Sequence, residues 1–416
     1  MLFGALTIAL VVEPLWRRQS GHLLQQAWQN VRFADQPSLL HAFQRYPKTW
    51  PPFYALLLRC WTWLGLPWAR FNQLVFYATL ALLAAALRKI ESGAAAAGLL
   101  ALFAIAHFNY VNEYQPTADA LVGPLMLGLY LVLGRYLTQP AGAALAAITA
   151  ATAALLLARY FDLVAVLPVA ALLVWMAPAP NPRARVRRTA AMLLCAVLPI
   201  ALWMGYAWRT TGYFTGADRR EPRNFPSYLR YWSDLTTPLQ DLRLWLKTLF
   251  LDFFSTRHPG VLAYVTHEYR PDPLEWLLLV LFAVCLGLST VAAWRALRSI
   301  RASWRLATTS LGLAALLFGF YNLALIGVWS FANNDPLHSR YLWPAYPFLF
   351  VLALGAWTTV RRAWTGNVWV ALPFRALFVL LFLVQLERSL LAVPVPVRYE
   401  LDDEQEETLD LKRPSG

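Results

Sequence analysis

"LEWLLLVLFAVCLGLSTVAAWRALRSIRASWR", residues Leu274 to Arg305, carries no charge from Trp276 to Trp294. Arg295, Arg298, Arg301 and Arg305 then follow in quick succession. A helix needs about 20 apolar residues to cross a hydrocarbon core roughly 30 Å thick. Arginines massed just beyond such a run mark the side on which the connection stays. In water the same helix would have to cover an apolar surface all the way round. The stretch therefore reads as a membrane span, Leu274–Trp294, with a basic connection after it.

The rest of the chain repeats this pattern. Of 416 residues, 59% are hydrophobic and only 14% are charged, and the mean hydropathy is +0.45. Globular domains carry about a quarter charged residues, so composition points to a polytopic membrane protein. Further spans are expected at Leu2–Val12 (short), Phe71–Leu87, Ala94–Phe108, Ala118–Leu133, Ala141–Ala158, Leu163–Met176, Ala190–Trp208, Leu306–Phe331, Leu342–Val360 and Val368–Leu386. The fold class is thus all-α, with about eleven transmembrane helices. Met1–Val12 lacks a basic start and a small-residue cleavage site, so it reads as a span and not as a cleavable leader.

With the N-terminus inside, the connections bearing Arg88 and Lys89, Arg135, Arg183 to Arg188, Arg295 to Arg305, and Arg361 and Arg362 all lie on the inner side. Glu91 is the one acid among them. The net charge of +13 is then a consequence of topology, as the positive-inside rule requires, and not a nucleic-acid footprint. The polar bulk falls outside, in two long stretches at about 13–69 and 209–273. Residues 1–397 form one expected transmembrane domain, and 398–416 ("LDDEQEETLD" within it) read as a charged, disordered tail on the outer side. Cys60, Cys195 and Cys285 have unrelated spacings and suggest neither disulfides nor a metal site. The six histidines form no ligand pattern, and no Gly-rich phosphate loop is present.

In the first outer stretch, Gly21–Phe33 places Leu23, Leu24, Ala27, Trp28 and Val31 on one helical face, as expected of an amphipathic surface helix. A second, partly embedded helix follows the Pro-Pro turn after Tyr46. Farther on, "NDPLHSRYLWPAYPFLF", Asn334 to Phe350, sets His338, Arg340 and Tyr341 at the mouth of an apolar run. A guanidinium there suits the phosphate of a lipid, which it can bind bidentately. An interfacial belt of snorkelling Arg and anchoring Tyr is the plainer reading.

Taken in order, "AWQNVRF", "WPPFYALLL", "TADALVGPLMLGLYLVL", "TTGYFTGADRREPRN" and "HSRYLWPAYPFLFVLA" resemble the GT-C class of membrane glycosyltransferases. The likeness is greatest to bacterial relatives of protein mannosyltransferases and the aminoarabinose transferase of lipid A. The resemblance covers nearly the whole chain. It implies an inverting transfer of a sugar from a polyprenyl-phosphate donor to an acceptor hydroxyl at the outer face of a bacterial inner membrane. The acceptor is a lipid, a glycan or a protein, and bilayer lipid is the remaining partner.

The resemblance places an acid at Asp119, whose position at a span end is costly unless the carboxylate is paired; the alternative role is an N-cap. The family's first acidic pair would fall near Gln19 and Ser20, where this chain has none, and Glu13 is the nearest upstream acid. Asp119 and Glu13 are therefore the candidate catalytic carboxylates. Arg340, His338, Tyr341, Lys48, Glu113, Arg219 and Arg220 are the candidates for holding lipid phosphate or sugar. Arg159 and Asp162, in "ARYFDL", are expected to pair with each other and to serve structure first. No cofactor is called for; the chemistry allows a divalent cation on the donor phosphate, but no ligand set in the sequence demands one. Two rival classes remain. A transporter or flippase would carry charges near the span midpoints, where only Arg375 stands. A non-catalytic relative would bind lipid or a partner on the same scaffold.

Overall fold

The computed structural model describes residues 4–7, 25–46, 51–106, 109, 117–214, 236–255, 272–298, 309–332, 339–365 and 367–391. Every regular element among them is helical. Four come before the first short basic connection: α1 (Gln25–Ala34), α2 (Leu39–Arg45), α3 (Phe53–Trp63) and α4 (Trp68–Arg88). Then come α5 (Ala94–Ile105), α6 (Asp119–Thr138), α7 (Gly142–Ala158), α8 (Asp162–Ala165), α9 (Leu167–Met176) and α10 (Pro182–Thr211). The remainder are α11 (Thr236–Phe253), α12 (Pro273–Arg298), α13 (Ser310–Ala332), α14 (Ser339–Leu342), a 3₁₀ turn (Trp343–Ala345), α15 (Tyr346–Ala363) and α16 (Val368–Leu391).

Seven of these helices are long and apolar enough to cross a membrane: the segments Arg70–Arg88, Asp119–Thr138, Pro182–Thr211, Pro273–Trp294, Ser310–Gly327, Trp343–Ala363 and Val368–Leu390. Ala94–Ile105, Gly142–Ala158 and Asp162–Met176 are shorter apolar segments. The architecture is that of an all-α polytopic membrane protein. Ten of the eleven expected spans coincide with these helices; most of the first, Leu2–Val12, lies outside the described residues.

The basic connections that follow α4 and α15 meet at one end, where Arg361 Nη1 lies 3.1 Å from Glu91 Oε1 and Lys89 lies over the Tyr130 ring. Arg375 is exposed in the second turn of α16, near that same end, within snorkelling reach of it. The centre of the bundle is α6, which packs on α4, α7, α9 and α13. At Gly123 of α6 a Cβ would overlap the Trp343 ring. Trp343 in turn donates from Nε1 to Asn109 Oδ1 at 2.8 Å, and Asn109 Nδ2 donates to the Phe103 carbonyl. A glycine is required there because ring and helix backbone share one volume.

The two long polar stretches hold more structure than expected. In the first, α1 overlaps the expected amphipathic segment Gly21–Phe33, but α2 is an additional helix, N-capped by Ser38. Asn30, Phe33 and Ala34 of α1 are buried. Arg59 of α3 donates to the carbonyls of Phe33, Ala34 and Gln36, closing the C-terminal end of α1, whose last carbonyls would otherwise lack partners. In the second, α11 folds from a segment expected to be loop. Trp245, Thr248, Leu249 and Asp252 recur at helical spacing and turn inward. Trp245 Nε1 reaches Asn322 Oδ1 of α13 at 2.7 Å.

Candidate functional site

At the end opposite the basic connections, five polar side chains from different helices converge. Asp119 opens α6, so its carboxylate sits in the first turn of a helix, where the macrodipole favours negative charge. It is 3% exposed. Arg159 ends α7 in an extended conformation that swings its side chain back across the bundle. Its Nε lies 3.2 Å from Asp119 Oδ1. Its Nη1 donates to the Tyr321 hydroxyl at 3.0 Å. That hydroxyl then donates to the backbone carbonyl of Tyr341 at 2.9 Å. The guanidinium also lies over the rings of Tyr341 (5.3 Å) and Phe161 (5.7 Å). A buried guanidinium is tolerable only with such complete partnering.

Asp162 completes the cluster. It is fully buried, and neither carboxylate oxygen has a hydrogen-bond partner among the described residues. It lies within electrostatic reach of Arg159, Asp119 and Tyr321. The expected Arg159–Asp162 pair is thus corrected: Arg159 reaches across to α6 and takes Asp119. Sequence proximity suggested the nearer acid, but the extended backbone at Arg159 aims the side chain at the neighbouring helix. Next to this cluster, Trp203 Nε1 donates to the Tyr160 hydroxyl at 2.7 Å. Burial pushes the Tyr160 phenol up to about 12, so the group stays neutral in its role as acceptor. Burial also raises the Tyr46 phenol, which donates to Asn30 Oδ1 at 2.9 Å.

Of the residues singled out from sequence, Asp119 and Tyr341 meet through Arg159. Asp119 forms an ion pair instead of the alternative N-cap: Ala118 holds the cap position of α6, and no side chain bonds there. Arg340 belongs to the α14 turn beside Tyr341. Glu13, Lys48, Glu113, Arg219, Arg220 and His338 lie outside the described residues.

A second buried polar group, unforeseen in the sequence, holds α11 in place. The Tyr346 hydroxyl at the start of α15 donates to Asp252 Oδ2. Gln385 Nε2 and Arg388 Nη1 of α16 donate to backbone carbonyls at the end of α11. Asp272 and Glu275 bond reciprocally at the start of α12 (2.8 and 2.9 Å), in the manner of a capping box. Glu275 also accepts from Ser255 Oγ at 2.9 Å. The Leu–x–x–Trp–x–x–Thr–Leu spacing of Leu242 to Leu249 was the available signal for this helix.

No known protein-family model matches the chain, and no curated protein matches it. Among solved structures it is similar to the archaeal oligosaccharyltransferase AglB from Archaeoglobus fulgidus, in complex with an inhibitory peptide and a dolichol-phosphate. The identity is 12% and the TM-score 0.44, over 93% of this chain and 56% of that one, so the chain spans a little over half of that neighbour's length.

Proposed function

We propose that this chain is a GT-C-like glycosyltransferase that moves a sugar from a polyprenyl-phosphate donor to an acceptor hydroxyl at the outer face of the membrane. The observation that carries the reading is the buried Asp119–Arg159 pair beside the Ser339–Leu342 turn. It stands where the ordered sequence motifs place an acid and a phosphate-binding segment. Fixed cations, Arg340 among them, would hold the carrier phosphate and stabilise it as a leaving group. Asp119 would accept the proton of the acceptor hydroxyl as that oxygen attacks the anomeric carbon. Attack opposite the departing phosphate inverts the anomeric centre.

Asp119 Oδ1 is already engaged by Arg159. That fact, together with the missing acids at Gln19 and Ser20, favours a second reading, a lipid-binding relative that does not turn over.

The test uses purified chain in nanodiscs with undecaprenyl phosphate carrying a labelled hexose. Transfer of label to an added lipid, glycan or peptide, reduced about a hundredfold or more by Asp119→Asn, supports the enzyme. Saturable binding with no turnover supports the second reading. Absence of binding refutes both.

A further inference from the structure

The Asp162 carboxylate makes no hydrogen bond among the described residues. It is not a helix cap: Phe161 holds the cap position of α8, with no side-chain bond there. Arg159 lies within electrostatic reach of it but gives its Nε and Nη1 to Asp119 and Tyr321. Yet Asp162 is 0% exposed, with both carboxylate oxygens lacking donors among the described residues. A buried acceptor left without a donor is destabilising, and a carboxylate more so than a neutral group. Such groups persist where a ligand supplies what the protein withholds. Its surroundings limit the ligand. Asp119 and the Tyr321 phenol lie within electrostatic reach of Asp162 from α6 and α13, and Arg159, which lies over the Tyr341 ring, stands one turn before it. A second anion is repelled by the two carboxylates. A neutral group offering two adjacent donors satisfies both oxygens at once, as the vicinal hydroxyls of a sugar ring do.

We infer that Asp162 is the sugar-recognition residue of this site, accepting from hydroxyls of the glycosyl headgroup on its lipid carrier. The inference rests on the proposed transferase reading and sharpens it. Asp119 and Arg159 stay paired, while Asp162 reads the sugar and the carrier phosphate is held elsewhere. Tyr341 is half-buried, the least enclosed member of the cluster, and its ring over Arg159 marks the side from which the headgroup enters. Asp162 is thus a sugar-binding residue, expected to govern affinity for the sugar more than for the lipid.

The experiment compares binding of bare undecaprenyl phosphate with binding of undecaprenyl phosphate carrying mannose or glucose, to the full chain in nanodiscs. Wild type is expected to prefer a glycosylated carrier, and Asp162→Asn to lose that preference by about tenfold or more, since hydrogen bonds to a charged acceptor are the strong ones. Affinity for the bare carrier should be unchanged, which a merely structural role would not permit. Equal binding of bare and glycosylated carriers by wild type, or an unaltered preference in Asp162→Asn, overturns the inference while leaving the transferase reading intact. Failure of wild type to bind any carrier overturns the transferase reading itself. Should Asp162→Asn not fold, wild type is assayed with carriers bearing singly deoxygenated hexoses. A tenfold loss for one position then supports the inference, and uniform affinity across the series overturns it.

Discussion

Two arginines are buried at the same end of this bundle, and they are employed in opposite ways. Arg388 gives its Nη1 to the backbone carbonyls of Leu251 and Asp252. Arg159 gives its donors to a carboxylate and a phenol. The first closes a helix end, a task any well-placed donor can perform. The second holds side chains that have no need of it for secondary structure. The identity of the partner, backbone or side chain, separates scaffold from candidate chemistry more sharply than burial does, since both are nearly enclosed (2% and 9% exposed).

The strongest way to break this comparison is to remove each cation. Arg159→Met leaves Asp119 buried and unpaired beside Asp162, and should cost about 3–5 kcal/mol, read as a large fall in melting temperature in detergent. Arg388→Met strands the Leu251 and Asp252 carbonyls and should cost about 1–3 kcal/mol; a larger loss than for Arg159→Met would reverse the assignment of roles. Gly123→Ala tests the shared scaffold. The new methyl must displace Trp343, at about 1–3 kcal/mol, and a neutral outcome would mean that the ring moves freely. At the basic end, Glu91→Gln removes an ion pair whose Arg361 side chain is 54% exposed. It should cost less than about 1 kcal/mol and vanish in high salt.

Much of the fold was legible in the sequence, because a bilayer imposes a length and a polarity on every crossing. Ten apolar segments fell where they were expected. The helix α11 was not foreseen, because Arg243, Lys247 and Asp252 dilute its apolar face, and it was read as loop. The site was legible only in part. Asp119 stood out as an acid at a span end, but its bond to Arg159 depends on how α6 and α7 lie against each other. Spacing along the chain pointed instead to Asp162. Nothing in the local pattern marks Asp162 as a group left without donors, since that property exists only once the neighbouring helices have closed around it.

The indole of Trp343, seated against Gly123 and tethered to Asn109, acts as a dowel between the central helix and the turn that carries Arg340 and Tyr341. Sliding that turn lengthwise would shear the peg from its socket. Any opening of this end to admit a lipid headgroup should therefore come from elements on the far side of the turn, or by both helices tilting together as one rigid pair.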